Sequence, residues 1–558
     1  MSAQVSEPGQ FDPISLEIIW SRLIGIADDM WTTVLRTAVS TIIGAAQDFG
    51  CEILDAQGNS VAHSNRSMPV FNIVMPTVTR AVIERFPVEA MREGDVYVTN
   101  DPWLCAGHLD DIATITPVFY DGRVVAFSVT VAHTSSIGGS LTNRTVRDVY
   151  EEGLRIPILK LYDTGRRNET AWAFIRANVR TSEMVLTDIE AQLTANDLGA
   201  RRVVALLQEY DLPDLRAVAT TIQAHSEKAM RDAIRAVPDG VYESEVFADG
   251  LEDPVRLQCR ITIAGDEISV DYAGSDPESA RGGINCTLTY TRAHTVYPLK
   301  CLLSPNVPAN EGVFRPFAIQ APEGSILNCG IPASVGSRTR TGWHLHALLF
   351  AALEPVMPDR VQAGNGLMHS VHVYGQEQDG RFYNAHFFMG GGRGASRGRD
   401  GIGRNCFPSS ARNVPVEVFE ARAPVLIRAR NLRLDSAGLG AWRGAFGHQI
   451  EFSPLPGYDR PVSFFLNPDR LRYPPVGLMG GENGPRTEII LNGRPLSMEA
   501  VGTGQLTLRA EEDRLELAVP GGAGYGPVTD RDPSLIEADL ASGLVSPASV
   551  SRLERAAD

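Results

Sequence analysis

The sequence predicts an α+β, multidomain protein. An interleaved α/β N-terminal region with a β-hairpin of candidate metal ligands precedes β-rich middle and C-terminal regions. Three observations predict it. Apolar residues recur at helical spacing through much of the first 240 positions. From about Gly240, short β-branched runs follow one another between Gly-containing turns. At 558 residues, 43% hydrophobic and 21% charged, the chain has an ordinary globular composition and is too long for a single core. The expected divisions are a disordered tail at 1–10, an α/β domain at 11–240, a β-rich domain at 241–330, a Gly/Arg/His-rich α/β region at 331–420, a β-rich domain at 421–530 and a helical tail at 531–558.

Asp12-Pro13 opens the first helix, because proline suits the first turn, and Ile14, Ile18, Leu23, Ile26 and Met30 carry it to about Thr37. Asp48–Ala62 reads as a hairpin turning at Gln57-Gly58-Asn59. Phe71–Phe86 is the next helix, and Asp95–Thr99 is a short strand leading into Asn100-Asp101-Pro102. From Glu183 to Val237 the chain is helical, with a break near Asp211-Leu212-Pro213. VRLQCRITIAG and EISVDYAGS are strands, a helix spans Thr291–Leu303, and the segment from Arg422 to Val519 is β-rich. Short helices follow Asp532-Pro533 and Ser546-Pro547. No internal repeat stands out.

The most informative stretch is NDPWLCAGHLDDIATITPVFYDGRVVAFSVTVAH, Asn100–His133. IATITPVF and VVAFSVTVA are β-branched arms around a tight Asp121-Gly122 turn. With a two-residue loop, Tyr120 faces Arg123, and counting outward puts His133 opposite Asp110, one step from Asp111. His108, Asp111 and His133 then meet without help from distant chain. Pro117 removes a ladder donor and signals an edge or a bulge. Two imidazoles and a carboxylate suit a divalent first-row metal, with zinc, manganese and iron all open.

Net charge is −16, which argues against an extended nucleic-acid surface. Seven cysteines form no CxxC pair, and the polar start MSAQVSEPGQ lacks a signal-peptide core. No apolar run approaches the roughly 20 residues that cross a bilayer. A cytoplasmic, reducing location is expected. No Gly-Lys-Ser/Thr occurs, since the three lysines follow Leu159, Glu227 and Leu299, so a P-loop is excluded.

FFMGGGRGASRGRDGIGRNC, Phe387–Cys406, leaves two readings open: an anion loop or partner interface, or a tight structural loop needing glycine. Its G-x-S-x-G around Ser396 lacks the helix a nucleophile elbow requires. His344 and His346 are spaced for capping or interface roles rather than chelation. His369, His372 and His386 are candidates to line a pocket. PGGAGYGP lacks G-x-G-x-x-G and reads as a structural loop.

DPISLEIIWSRL, NDPWLCAGHLDD, TPVFYDGRVVAF, AHTSSIGG, EEGLRIPILKL, PEGSILNCGIPASVG, NVPVEVFEARAPVLIR, WRGAFGHQIEF and PGGAGYGPVTDRDP together resemble the hydantoinase B/oxoprolinase family along nearly the whole chain. The resemblance implies the B-type (beta) subunit of an ATP-dependent cyclic-amide hydrolase of the hydantoinase, caprolactamase or 5-oxoprolinase kind. A separate A-type subunit of actin-like ATPase fold would bind ATP and Mg, in a hetero-oligomer built on a homodimeric core. The metal ligands carry over onto His108, Asp111 and His133, with Asp48 as a further carboxylate. Family members show Arg-Leu-Asp-Phe-Ser where this chain has Gln47-Asp48-Phe49-Gly50, and His-Leu-Pro-Asp where it has His108-Leu109-Asp110-Asp111. Asp110 is then a candidate neighbour of the metal shell or catalytic base, and Asp48 is the next choice as base if it does not bind the metal. The alternatives are a subunit of an acetone- or acetophenone-type carboxylase, and a scaffold without chemistry.

Overall fold

The computed structural model describes residues 5–7, 10–377, 379–403, 405–501 and 504–550. The expected disordered tail at 1–10 falls mostly outside them. Within them, Val5–Glu7 pairs with Gln10–Phe11 in a two-stranded ribbon. The last part of the expected helical tail, 551–558, also lies outside; Pro533–Ala541 is helical, as are residues 547–550.

A seven-stranded antiparallel sheet organises the first part of the chain. Its order is Ser60–His63, Phe49–Asp55, Arg123–His133, Asp111–Tyr120, Val96–Thr99, Leu159–Asp163 and Arg166–Arg167. On one face lie the helices Pro13–Thr37 and Ser182–Glu209. The first starts where expected: the Asp12 carboxylate accepts from the Ile14 and Ser15 amides, and Pro13 fills the first turn. It buries Leu16, Ile19, Leu23, Ile26, Met30 and Val34, a stripe at three- and four-residue steps. Fully burying one such Leu or Ile contributes about 1.5–3 kcal/mol. The second helix comes so close that a Cβ on Gly199 would lie 2.5 Å from Met30 Sδ and Ser128 Oγ.

Under that helix the sheet presents hydroxyls. Thr114 Oγ1 and Thr130 Oγ1 are 2.7 Å apart, Gln192 Oε1 accepts from Thr130, and Asn196 donates to the Thr114 carbonyl. Strand alternation therefore turns Asp111, Val131 and His133 to the opposite face. That face packs against the helix Pro69–Arg85: Gly50, paired with Val131, would place a Cβ 3.0 Å from Phe71 Cβ.

The register of the central hairpin differs from expectation. Tyr120 does face Arg123, but His133 pairs with Asp111, not Asp110. A bulge causes the shift: Phe119 pairs with Val124 and Val118 with Ala126, leaving Val125 as an extra residue. It lies next to Pro117, beyond the point where Val96–Thr99 last pairs with the strand at Ile115. There the missing proline N–H costs no ladder bond.

Three further sheets follow. Gly240–Ala248, Val255–Ala264, Glu267–Asp271 and Phe317–Gln320 form one, its last pair parallel; the helix Leu288–Leu303 packs against the Phe317–Gln320 strand. Phe382–Gly390, Met368–Gln376, Val462–Asn467 and Gln505–Leu508 form the second, which takes strands from both sides of residue 420. Val425–Leu432, His448–Pro454, Leu515–Ala518, Glu488–Leu491 and Arg494–Pro495 form the third.

The glycine-rich stretches cross one another at backbone contact: a Cβ on Gly522 would lie 2.0 Å from the Arg393 carbonyl oxygen. Ser396 sits in a turn whose Ser396 and Arg399 amides and carbonyls pair, with no helix after it, so it is not a nucleophile elbow. His344 and His346 are buried against Asp469 and Asn365 within the chain, and His344 makes no side-chain cap bond to the helix Leu345–Leu353. All seven cysteines are free thiols. No helix among the described residues is long and apolar enough to cross a membrane.

Candidate metal centre

The loop carrying His108 is fixed from beneath. Asn100 donates to the Leu109 and Leu154 carbonyls and accepts from the Ile156 amide. Thr99 Oγ1 donates to the Ile156 carbonyl and accepts from the Asp101 amide. Asp101 pairs with Arg155, and its carbonyl accepts from the Leu104 and Cys105 amides. Gly107 is required: its φ is +83°, and a Cβ there would lie 2.8 Å from Tyr290 Cβ and 2.9 Å from Arg338 Cδ. These contacts give the Asn-Asp-Pro and Gly-His steps of the sequence a physical reason.

His108, Asp111 and His133 converge. Their candidate ligand atoms all lie within 4.8 Å of one another. Asp111 Oδ2 is 2.7 Å from His108 Nε2, and Asp111 Oδ1 is 3.1 Å from His133 Nδ1. Asp111 is 1% exposed and His108 4%. Two donors each about 2.1 Å from a shared ion stand at most about 4.2 Å apart, so the trio needs only a small closure to grip a cation. His108 Nε2 is buried and, despite its closeness to Asp111, makes no aligned hydrogen bond among the described residues. A bare ring nitrogen beside a carboxylate and a second imidazole fits a divalent metal.

Asp110 Oδ2 is 3.2 Å from His108 Nδ1. It accepts from that nitrogen and leaves Nε2 for the ion, the usual support of a metal-binding imidazole. Burial alone would raise the Asp110 pKa, but the His108 hydrogen bond and the charges of His108 and His133 bring it down to about 2. Asp110→Asn is expected to weaken metal binding by roughly 10–100-fold, measured by competition with a chelator; an unchanged affinity would remove Asp110 from this role.

Asp48 immediately precedes the neighbouring strand, Phe49–Asp55. Its carbonyl accepts from the His133 amide, and the Asp110 carbonyl accepts from Thr134. Asp48 is buried and lines the same cavity, but it is not part of the 4.8 Å group. Burial raises its pKa to about 6, with His133 opposing and Asp111 adding to the rise. For His133 burial acts in the opposite sense and pulls the pKa down, yet the Asp111 hydrogen bond and the charges of Asp48, Asp111 and Asp110 raise it to about 9.

The cavity around these groups, about 240 Å³, has walls that sequence reasoning saw only in part. His372 and His386, named as pocket candidates, stack at 4.1 Å on facing strands and line it. His369 instead bonds the Gly366 carbonyl. Asn384 ties the wall to the metal strand: it accepts from His372 Nε2 and donates to the Ser135 carbonyl. His386 Nε2 is buried without a hydrogen-bond partner among the described residues.

Arg338 was missed. It donates from Nη2 to Asp111 Oδ2 at 3.1 Å and from Nε to the Ala106 carbonyl, with its guanidinium 4.5 Å from the Tyr290 ring centroid. Glu152 holds the segment bearing it by accepting from the Val335 and Gly336 amides. Burial pushes the Glu152 pKa up to about 8, against those two bonds.

Residues 12–528 match the family model described as Hydantoinase B/oxoprolinase. The chain belongs to the hydantoinase B/oxoprolinase family. One relative, put forward as the B-type component of a D-/L-hydantoinase in Pseudomonas sp. (strain NS671), is 30% identical over 96% of this chain and 94% of its own. The crystal structure of an ATP-dependent caprolactamase from Pseudomonas jessenii superposes with a TM-score of 0.88 and 26% identity, covering 97% of this chain and 95% of that one. A nucleotide-free acetone carboxylase superposes with a TM-score of 0.83 at 18% identity, covering 97% and 79%, which is a likeness of fold.

Proposed function

We propose that this hydantoinase B/oxoprolinase family member is the B-type subunit of an ATP-dependent hydrolase of cyclic amides. Its own site hydrolyses a substrate that an A-type subunit has phosphorylated. The observation that carries this is the His108–Asp111–His133 trio, with His108 and Asp111 buried, in a cavity lined by His372 and His386.

In this reading, ATP on the partner phosphorylates the amide oxygen, which removes the resonance that protects the ring. Water then adds to the carbon, the C–N bond breaks as the nitrogen takes up a proton, and a second water cleaves the resulting acyl phosphate to carboxylate and free phosphate. His108, Asp111 and His133 would hold a divalent metal, which would lower the pKa of a water toward about 7. Asp110 keeps His108 turned with Nε2 inward. Asp48 is either a fourth metal ligand or the group that accepts the water's proton. Arg338 balances part of the carboxylate charge through Asp111.

Names of relatives support the hydrolase reading: a relative matched over nearly its full length carries a hydantoinase name, and the superposed structure is a caprolactamase. The runner-up, a ketone carboxylase subunit of acetone or acetophenone type, has fold likeness behind it. Co-expression with an A-type subunit, followed by ATP-dependent assays on hydantoins, lactams and 5-oxoproline, tests the reading. Ring opening coupled to ATP consumption is expected. Bicarbonate-dependent consumption of a ketone instead would establish the runner-up.

A further inference from the structure

A second cleft opens on the other side of the walls that enclose the metal cavity. The helix Leu288–Leu303 lends Tyr290 and His294 to the first cavity and Tyr297 and Cys301 to the second. In the loop after Asn405, Ser409 faces one and Ser410 the other.

The second cleft is cationic. Arg360, Arg393 and Arg412 line it from three separate segments, and no carboxylate is among its lining residues. In a chain of net charge −16, such a concavity runs against the background field and concentrates anions. The arginines are also under-used. Arg393 stands on backbone held at close contact by Gly522, so its position is set by the glycine crossing. Its Nε is buried with no hydrogen-bond partner among the described residues, and its guanidinium lies 5.7 Å from the Phe407 ring centroid. Burial, together with nearby Arg399, lowers its pKa. Among the described residues, Arg360 Nη1 donates to the Leu302 and Leu303 carbonyls. The exposed Arg412 is held at its backbone by the Ala46 carbonyl. A buried guanidinium nitrogen without an acceptor is costly, and an anion in the cleft removes that cost.

We propose that the cleft lined by Arg360, Arg393 and Arg412 is a binding site for a phosphate-class oxyanion, distinct from the metal centre. Three arginines lining one cleft from three segments match a tetrahedral group with several oxygens better than a planar carboxylate with two. Tyr297 and Ser410 add hydroxyls at the same wall. The source is either free phosphate or a phosphoryl group on a small molecule. Binding of this kind is independent of the hydrolase chemistry, so it stands or falls without it.

The test is isothermal titration of the full-length chain at low ionic strength with inorganic phosphate, phenyl phosphate and succinate in turn. Saturable one-to-one binding of inorganic phosphate or phenyl phosphate is expected, and the tighter of the two identifies the source. Arg393→Gln and Arg412→Gln should each weaken it by about tenfold or more. Arg201→Gln, at an exposed pair with Asp197, should leave it unchanged. Repeating the titrations on His133→Ala separates phosphate held at the metal centre from phosphate in the cleft. Arg412 is exposed, so its variant keeps the test valid if Arg393→Gln disturbs folding. Binding that is absent, or equally tight in both cleft variants, overturns the proposal. Succinate binding as tightly as either phosphate overturns the ligand class.

Discussion

His133→Ala is expected to lose the divalent metal and, with it, all ATP-dependent turnover, while the chain still melts cooperatively. His133 supplies one of only three side chains in the 4.8 Å group. Partners that merely orient a ligand are worth roughly 10–100-fold in affinity, so removing a ligand should cost more than that. Folding should survive for a local reason. His133 is the last residue of its strand, its side chain is 17% exposed, and its amide bond to the Asp48 carbonyl is unaffected by the change. Asp111 keeps His108 and Arg338 as partners. Metal analysis and a thermal melt on the same preparation check both halves. Full activity in the presence of the partner would place the chemistry elsewhere.

The chain by itself is expected to hydrolyse no ATP, and turnover of about 1 s⁻¹ or more should appear only with an A-type subunit. The sequence offers no Gly-Lys-Ser/Thr. The structure places all three lysines outside the metal cavity: Lys160 pairs with Asp95 and Asp163, Lys228 with Asp232, and Lys300 donates to the Pro305 carbonyl. None is positioned to reach a nucleotide phosphate there. Phosphate release by the purified chain, with and without the partner, measures this. Robust hydrolysis by the lone polypeptide would end the division of labour.

The legible part of the site is the part made by neighbours in sequence. A strand, a tight Asp121-Gly122 turn and a second strand bring His133 back to Asp111 whatever the rest of the chain does. The facing was misjudged by one residue because a bulge at Val125 is a backbone event with no residue signature; Pro117 marked its neighbourhood and no more. Asp48 was reached through family resemblance, since nothing in Gln47-Asp48-Phe49-Gly50 alone points at His133. Arg338 lies 227 residues from the carboxylate it meets, and an arginine in GSRTR looks like any surface arginine. His372 and His386 were visible as residue types but not as a stacked pair, because that depends on the pairing of Met368–Gln376 with Phe382–Gly390. The helices were easier, since caps and apolar stripes are local: the run from Pro13 ends at Thr37, as its spacing indicates.

Two imidazoles and one carboxylate, from one hairpin and the loop that leads into it, are expected to hold a divalent ion. X-ray absorption at the metal edge on the purified protein, with metal content measured on the same sample, tests it most directly. Close to one ion per chain is expected, with imidazole nitrogens and carboxylate oxygen at about 2.0–2.2 Å, and loss of the imidazole signal in His133→Ala. A protein that retains no stoichiometric ion, or one whose metal spectrum is unchanged by that substitution, would contradict it.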